Sequence, residues 1–172
     1  MSRKKTIVIL ILSILGVCAI FFAWYKYNFS MDKAKSFSIN DSNYPTKLLI
    51  ATQGSEFKNA LTNQVIDYFK EDSIYIQVID ISQLSKIKSS TYNATLLIHT
   101  WEGWGPPVEI TDFIQHQTTN LNKTVVFTTS GNGTNKMDNV DAITGESKID
   151  DIRLFSNKII VRLKPLLQSH VN

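Results

Sequence analysis

Residues 52–55, Thr-Gln-Gly-Ser, form a polar turn between a largely apolar pentad (47–51) and an amphipathic stretch that opens at Ser55. Strand, glycine-containing turn and helix in this order bring backbone N–H groups and a helix N-terminus to one point, which suits an anion. Two further polar segments follow strand-like runs. Residues 100–107 (T-W-E-G-W-G-P-P) follow 94–99, and the Gly/Asn loop that ends at Asn135 follows 124–128. Thr100, Trp101, Gly103, Ser130, Gly131 and Asn132 thereby join Thr52, Gln53, Gly54 and Ser55 as candidate binding residues. Other chemistry has less to stand on. His99, His116 and His170 have no neighbours at metal-ligand spacing, although His99 ends a strand where a pocket would open. Asp150 and Asp151 are adjacent, so on a helix they point apart and serve its dipole. Ser130 lies in no G-x-S-x-G elbow. No catalytic residue and no metal site is expected.

These loops need a sheet to position them. Phe57, Ala60, Leu61, Val65, Tyr68 and Phe69 fall at helical spacing behind Ser55, a natural N-cap. Residues 74–79 form a second strand with little alternation, as when both faces are covered. A weak helical or turn segment (82–88), a strand (94–99), a helix (108–117), a strand (124–128) and a short strand (140–144) follow. A last helix starts near Ser147, where Ser147 and Asp150 make an S-x-x-D cap and Lys158, Arg162 and Lys164 serve its far end. Five β/α units predict an α/β fold with a five-stranded parallel sheet covered on both faces. Such a sheet binds ligands beyond the carboxyl ends of its strands.

The net charge of +3 is unevenly placed. Residues 1–40 carry six of the 18 Lys and Arg and one of the 15 Asp and Glu, which leaves 12 against 14 in residues 41–172. The basic excess belongs to the N-terminus, so nucleic acid is not an expected partner. Arg3, Lys4 and Lys5 precede an uncharged run, residues 6–25, long enough as a helix for roughly the 30 Å of a hydrocarbon core. Trp24, Tyr25 and Tyr27 close it with interfacial aromatics. The apolar core is too long for a cleaved signal, and Val17 is too large for a lipoprotein box at Cys18. Cys18 is the one cysteine, so disulfides and cysteine metal sites are excluded. The expected organisation is a basic N-terminus and transmembrane anchor (1–27), a polar tether (28–45), an α/β domain (46–167) and a tail (168–172). The bilayer is then a partner, and the protein is single-pass in the cell membrane. The basic N-terminus favours N-in, with the domain outside the cytoplasm.

Residues 46–167 resemble a flavodoxin, on the strand–turn–helix at Gly54, on Thr100-Trp101 and on the Gly-rich turn at Ser130. The resemblance implies a doubly wound sheet of order 2-1-3-4-5, with FMN phosphate in the 52–55 turn and Trp101 stacked on the isoalloxazine. Ala51, Gln53 and Glu56 stand where the family has hydroxyl residues, and Glu56 puts a carboxylate beside the phosphate. Trp101 and Trp104 are equally explained as caps on the sheet edge. Asp141, Thr144, Gly145 and Ser147 are similar to a flavin-transfer motif, with Glu146 in place of its alanine; strand end, turn and cap explain the same residues. Two functions follow from this resemblance. One is a membrane-anchored FMN electron carrier with a redox protein partner, which makes any enzymatic role electron transfer rather than hydrolysis or group transfer. The alternative is a cofactor-free binding or scaffold module.

Overall fold

The computed structural model describes residues 3–29, 31–116 and 121–168. Gln117, His170 and the side chains of Tyr25 and Tyr27 lie outside the described residues. The chain divides into two compact units, Met1–Met31 and Asp32–Asn172.

The first unit is one helix, α1 (Arg3–Phe29). Within Arg3–Trp24 an 18-residue stretch has a mean hydropathy of 2.9 and no buried residue, so the segment is long and apolar enough to cross a membrane. Ser13 lies within that segment and returns its hydroxyl to the Ile9 carbonyl at 2.9 Å, which satisfies this polar group locally.

The second unit contains β1 (Phe37–Ile39), β2 (Thr46–Thr52), α2 (Glu56–Phe69), β3 (Ile74–Asp80), β4 (Ala94–Thr100), α3 (Val108–His116), β5 (Thr124–Thr129), β6 (Ala142–Gly145) and α4 (Ile152–Gln168). The sheet order is β1-β3-β2-β4-β5-β6. Strands β2 to β6 are mutually parallel and keep the expected 2-1-3-4-5 order. The sheet nevertheless has six strands rather than five. The extra strand, β1, comes from the stretch expected to be a tether and pairs antiparallel with β3, Phe37 opposite Val78 and Ile39 opposite Ile76. Three residues are too few to announce a strand by pattern. The hydrogen bonds along the open edge of β3 supply the order instead. Asn40 ends β1 in the left-handed region, φ 68°, which Asn tolerates. Its side-chain amide donates to the carbonyls of Lys70, Asp72 and Ile74 and ties the turn to the α2–β3 loop.

Strand side chains alternate between two cores. Leu48, Ile50, Ile76, Leu96, Ile98 and Phe127 face α2 and α4, while Leu49, Ala51, Ile79, Leu97 and Val126 face α3 and the 3-10 turn at Ile81–Lys86. Phe57 of α2, Phe127 of β5 and Phe155 of α4 meet with ring centroids 4.9–6.4 Å apart. The last helix departs from expectation. A single 3-10 turn, Ile149–Asp151, precedes α4 and has no side-chain cap, so Ser147 and Asp150 do not form the expected box. Asp150 and Asp151 still lie at that N-terminal end, where their charge suits the dipole.

Candidate functional site at the carboxyl edge of the sheet

The three loops leave neighbouring strands. Thr52 is in register with Ile98, and Thr100 with Thr129, so the 52–55, 100–107 and 130–135 loops start from one edge. The polar side chains of the β2–α2 turn bond within the chain. Ser55 caps α2 by accepting from the Lys58 N–H at 3.2 Å. Thr52 donates its hydroxyl to the Gln53 carbonyl at 3.1 Å. The buried Gln53 carboxamide accepts from the Thr100 N–H at 2.8 Å and donates to Glu102 Oε1, so it clamps the next loop rather than facing solvent.

Gly54 donates its N–H to the Asp32 carbonyl at 2.6 Å. A Cβ on Gly54 would lie 2.7 Å from the carbonyl oxygens of both Asp32 and Lys33, closer than such atoms ever approach. Two residues on, the Ala34 N–H donates to Asp80 Oδ2 at 2.8 Å, and Asp80 Oδ1 accepts from the Ser82 N–H and hydroxyl. Residues 32–34 are thus laid over the ends of β2 and β3 and pinned at each. Gly54 is required here because the chain's own backbone comes close to it.

This geometry does not fit a flavin phosphate. The glycine N–H that would cradle a phosphate is already donated, and two carbonyl oxygens, which attract cations and repel anions, occupy the space in front of it. Glu56, exposed on the first turn of α2, adds negative charge there.

Behind the turn lies a cation that the residue types did not announce. Lys58 is wholly buried, and its Nζ donates to Thr100 Oγ1 at 2.6 Å; Thr100 in turn contacts Thr129 Oγ1 at 2.9 Å. Burial lowers the Lys58 pKa to about 8, against an opposing pull from Glu102. Lys58 does lie on the helical stripe of Leu61 and Val65, so its phase, though not its type, signalled burial. His99 is also wholly buried. Its Nδ1 lies 3.3 Å from the Thr100 carbonyl, an acceptor only, so Nδ1 carries the proton and Nε2 accepts from the Thr128 hydroxyl at 3.0 Å. Desolvation lowers its pKa to about 4, and Lys58 adds to the shift against the Thr100 hydrogen bond.

The other loops are less enclosed. Glu102 and Gly105 bridge antiparallel, with Gly103 at φ 61° and Trp104 fully exposed at the tip. Trp101 is half-buried and held by its N–H to the Thr129 carbonyl at 2.7 Å. Ser130 donates to Asn132 Oδ1 at 3.0 Å and accepts from the Asn135 N–H, so its loop is internally bonded; Gly131 has open space around it. Thr52, Gln53, Thr100 and Ser130 therefore gather at the edge, whereas Gly103, Gly131 and Asn132 project from it.

No protein-family model and no curated protein sequence matches the chain. Solved structures do. The flavodiiron core of Flv1 from Synechocystis sp. PCC6803 superposes with a TM-score of 0.57 at 12% identity, over 74% of this chain and 38% of that one. A flavo-diiron protein from Thermotoga maritima gives 0.50 at 16% identity, over 75% and 37%. Flavodoxin 2 from Bacillus cereus gives 0.46 at 16% identity, over 70% and 99%. The chain spans well under half of either diiron protein, and at these identities the likeness concerns architecture. The fold of this chain is flavodoxin-like.

Proposed function

We propose that this chain is a cofactor-free flavodoxin-like binding module, held at a membrane surface by α1. The supporting observation is the contact of Gly54 with Asp32 and Lys33, which uses the turn's N–H and fills the phosphate seat with carbonyl oxygens. Lys58 extends the same pattern. It supplies from within the protein a positive charge at the edge where related folds would meet an anionic ligand. The anchor reading rests on the length and hydropathy of Arg3–Trp24. The basic residues before it favour an N-in, single-pass arrangement with the domain outside the cytoplasm. Full-length protein purified in detergent should be colourless and should ignore added FMN. Stoichiometric flavin absorbance would refute the cofactor-free reading. Alkaline carbonate extraction should leave the chain in the membrane pellet, and release would refute the anchor.

The half-buried Trp101, at the end of β4, favours a second reading as an FMN electron carrier serving a redox protein. That reading requires residues 32–33 to leave Gly54, so saturable FMN binding accompanied by loss of this contact would establish it.

A further inference from the structure

A cavity of about 420 Å³ lies between residues 32–37 and α2, and Thr52 and Gly54 of the β2–α2 turn also line it. Its polar wall is one face of α2, where Ser55, Asn59, Thr62 and Asn63 recur at helical spacing. Thr62 is the informative residue. It is 3% exposed, lines the cavity, and its Oγ1 has no hydrogen-bond partner. A helical threonine commonly returns its hydroxyl to the carbonyl one turn back, and this one does not. A buried unpaired hydroxyl is costly in a protein interior, and one that lines a cavity is ready for an external partner.

The remaining groups indicate what kind of partner. Asp32 and Glu56 offset Lys33 and Lys35 around the cavity, so no single sign of charge is favoured there. The carboxamides of Asn59 and Asn63 each offer donors and an acceptor to a neutral polar ligand. Phe37, 44% exposed, supplies an aromatic face against which C–H groups can pack. We propose that this groove binds a small uncharged saccharide bearing hydroxyl and acetamido groups, with the Thr62 hydroxyl as its buried anchor. The assignment rests on the binding-module reading and gives that module a ligand class.

The test uses the full chain in a detergent without a sugar headgroup, with di-N-acetylchitobiose as the probe. Saturation-transfer NMR should show binding, and amide shifts should concentrate at Asn59, Thr62 and Asn63. Thr62→Val, which removes the hydroxyl at nearly constant volume, should melt no lower than the parent and bind about tenfold more weakly, the loss of one hydrogen bond. Asn63→Ala should also weaken binding. No binding at millimolar probe, equal affinity in Thr62→Val, or displacement of the probe by inorganic phosphate overturns the proposal. FMN titrated into the same samples separates the two levels. Flavin uptake refutes the cofactor-free reading, whereas absence of both flavin and saccharide binding refutes the ligand class alone.

Discussion

The β2–α2 turn and the β4–α3 loop leave adjacent strands at the same sheet edge, yet they end in opposite ways. In the first, Thr52, Gln53 and Gly54 are buried and their polar groups are used by the chain itself. In the second, a two-residue tip carries a fully exposed Trp104. Topology places both loops where doubly wound folds bind ligands. Whether such a position can bind an anion depends on free donors, and residues 32–34 take the Gly54 N–H and set carbonyl oxygens beside it.

The largest effect should come from undermining the helix behind the closed turn. Phe57 is 3% exposed and packs on Phe127 and Phe155. Phe57→Ala should cost about 3–5 kcal/mol in denaturant melts, the range for large core truncations. A melt equal to that of the parent would show that α2 does not rest on this cluster.

Lys58→Met should act in the opposite direction. Replacing a buried charge by an apolar side chain of similar length should add about 1–3 kcal/mol at neutral pH. The Lys58 pKa, lowered from 10.5 to about 8, makes the unfolded chain the stronger proton binder between those values, so this group's contribution to stability rises as pH climbs through that window. The difference in stability between parent and Lys58→Met should therefore shrink from pH 8 to pH 10.5. A constant difference would place the ammonium in solvent. His99 works the acid side. With its pKa lowered from 6.5 to about 4, it makes the fold lose stability as pH falls through that interval, a loss that His99→Gln should reduce.

Gly54→Ala tests the closed turn itself. The new Cβ meets two backbone carbonyls at 2.7 Å, so residues 32–33 must shift at a cost of about 1–3 kcal/mol, as in overpacked sites. Ala tolerated without loss would mean that the strap does not lie on the turn. Trp104→Ala, at the open loop, should change stability by less than about 0.5 kcal/mol, as for exposed positions. A larger loss would show that this loop too is closed.

Much of this architecture was legible from residues alone. Uninterrupted apolar runs marked the parallel strands, and the spacing of Phe57, Leu61 and Val65 fixed the buried face of α2, as Ile152, Phe155 and Ile159 did for α4. What stayed hidden depends on long-range contact. β1 is too short to have a period, and the bond from Gly54 to Asp32 joins residues 22 positions apart with no local signal at either. Lys58 was obscured by its type: its place on the helical stripe argued for burial, its charge against it. Ser147 and Asp150 have the spacing of a cap, but the backbone enters α4 through a 3-10 turn that makes no such bond.

The most direct measurement of the central claim is NMR of the Gly54 amide in full-length, isotope-labelled protein. A scalar coupling across the hydrogen bond from the Gly54 nitrogen to the Asp32 carbonyl carbon, slow amide exchange, and no change on adding FMN are the expected results. A Gly54 amide that exchanges as fast as those at the Trp104 tip, shows no coupling, and shifts when FMN is added would contradict the account.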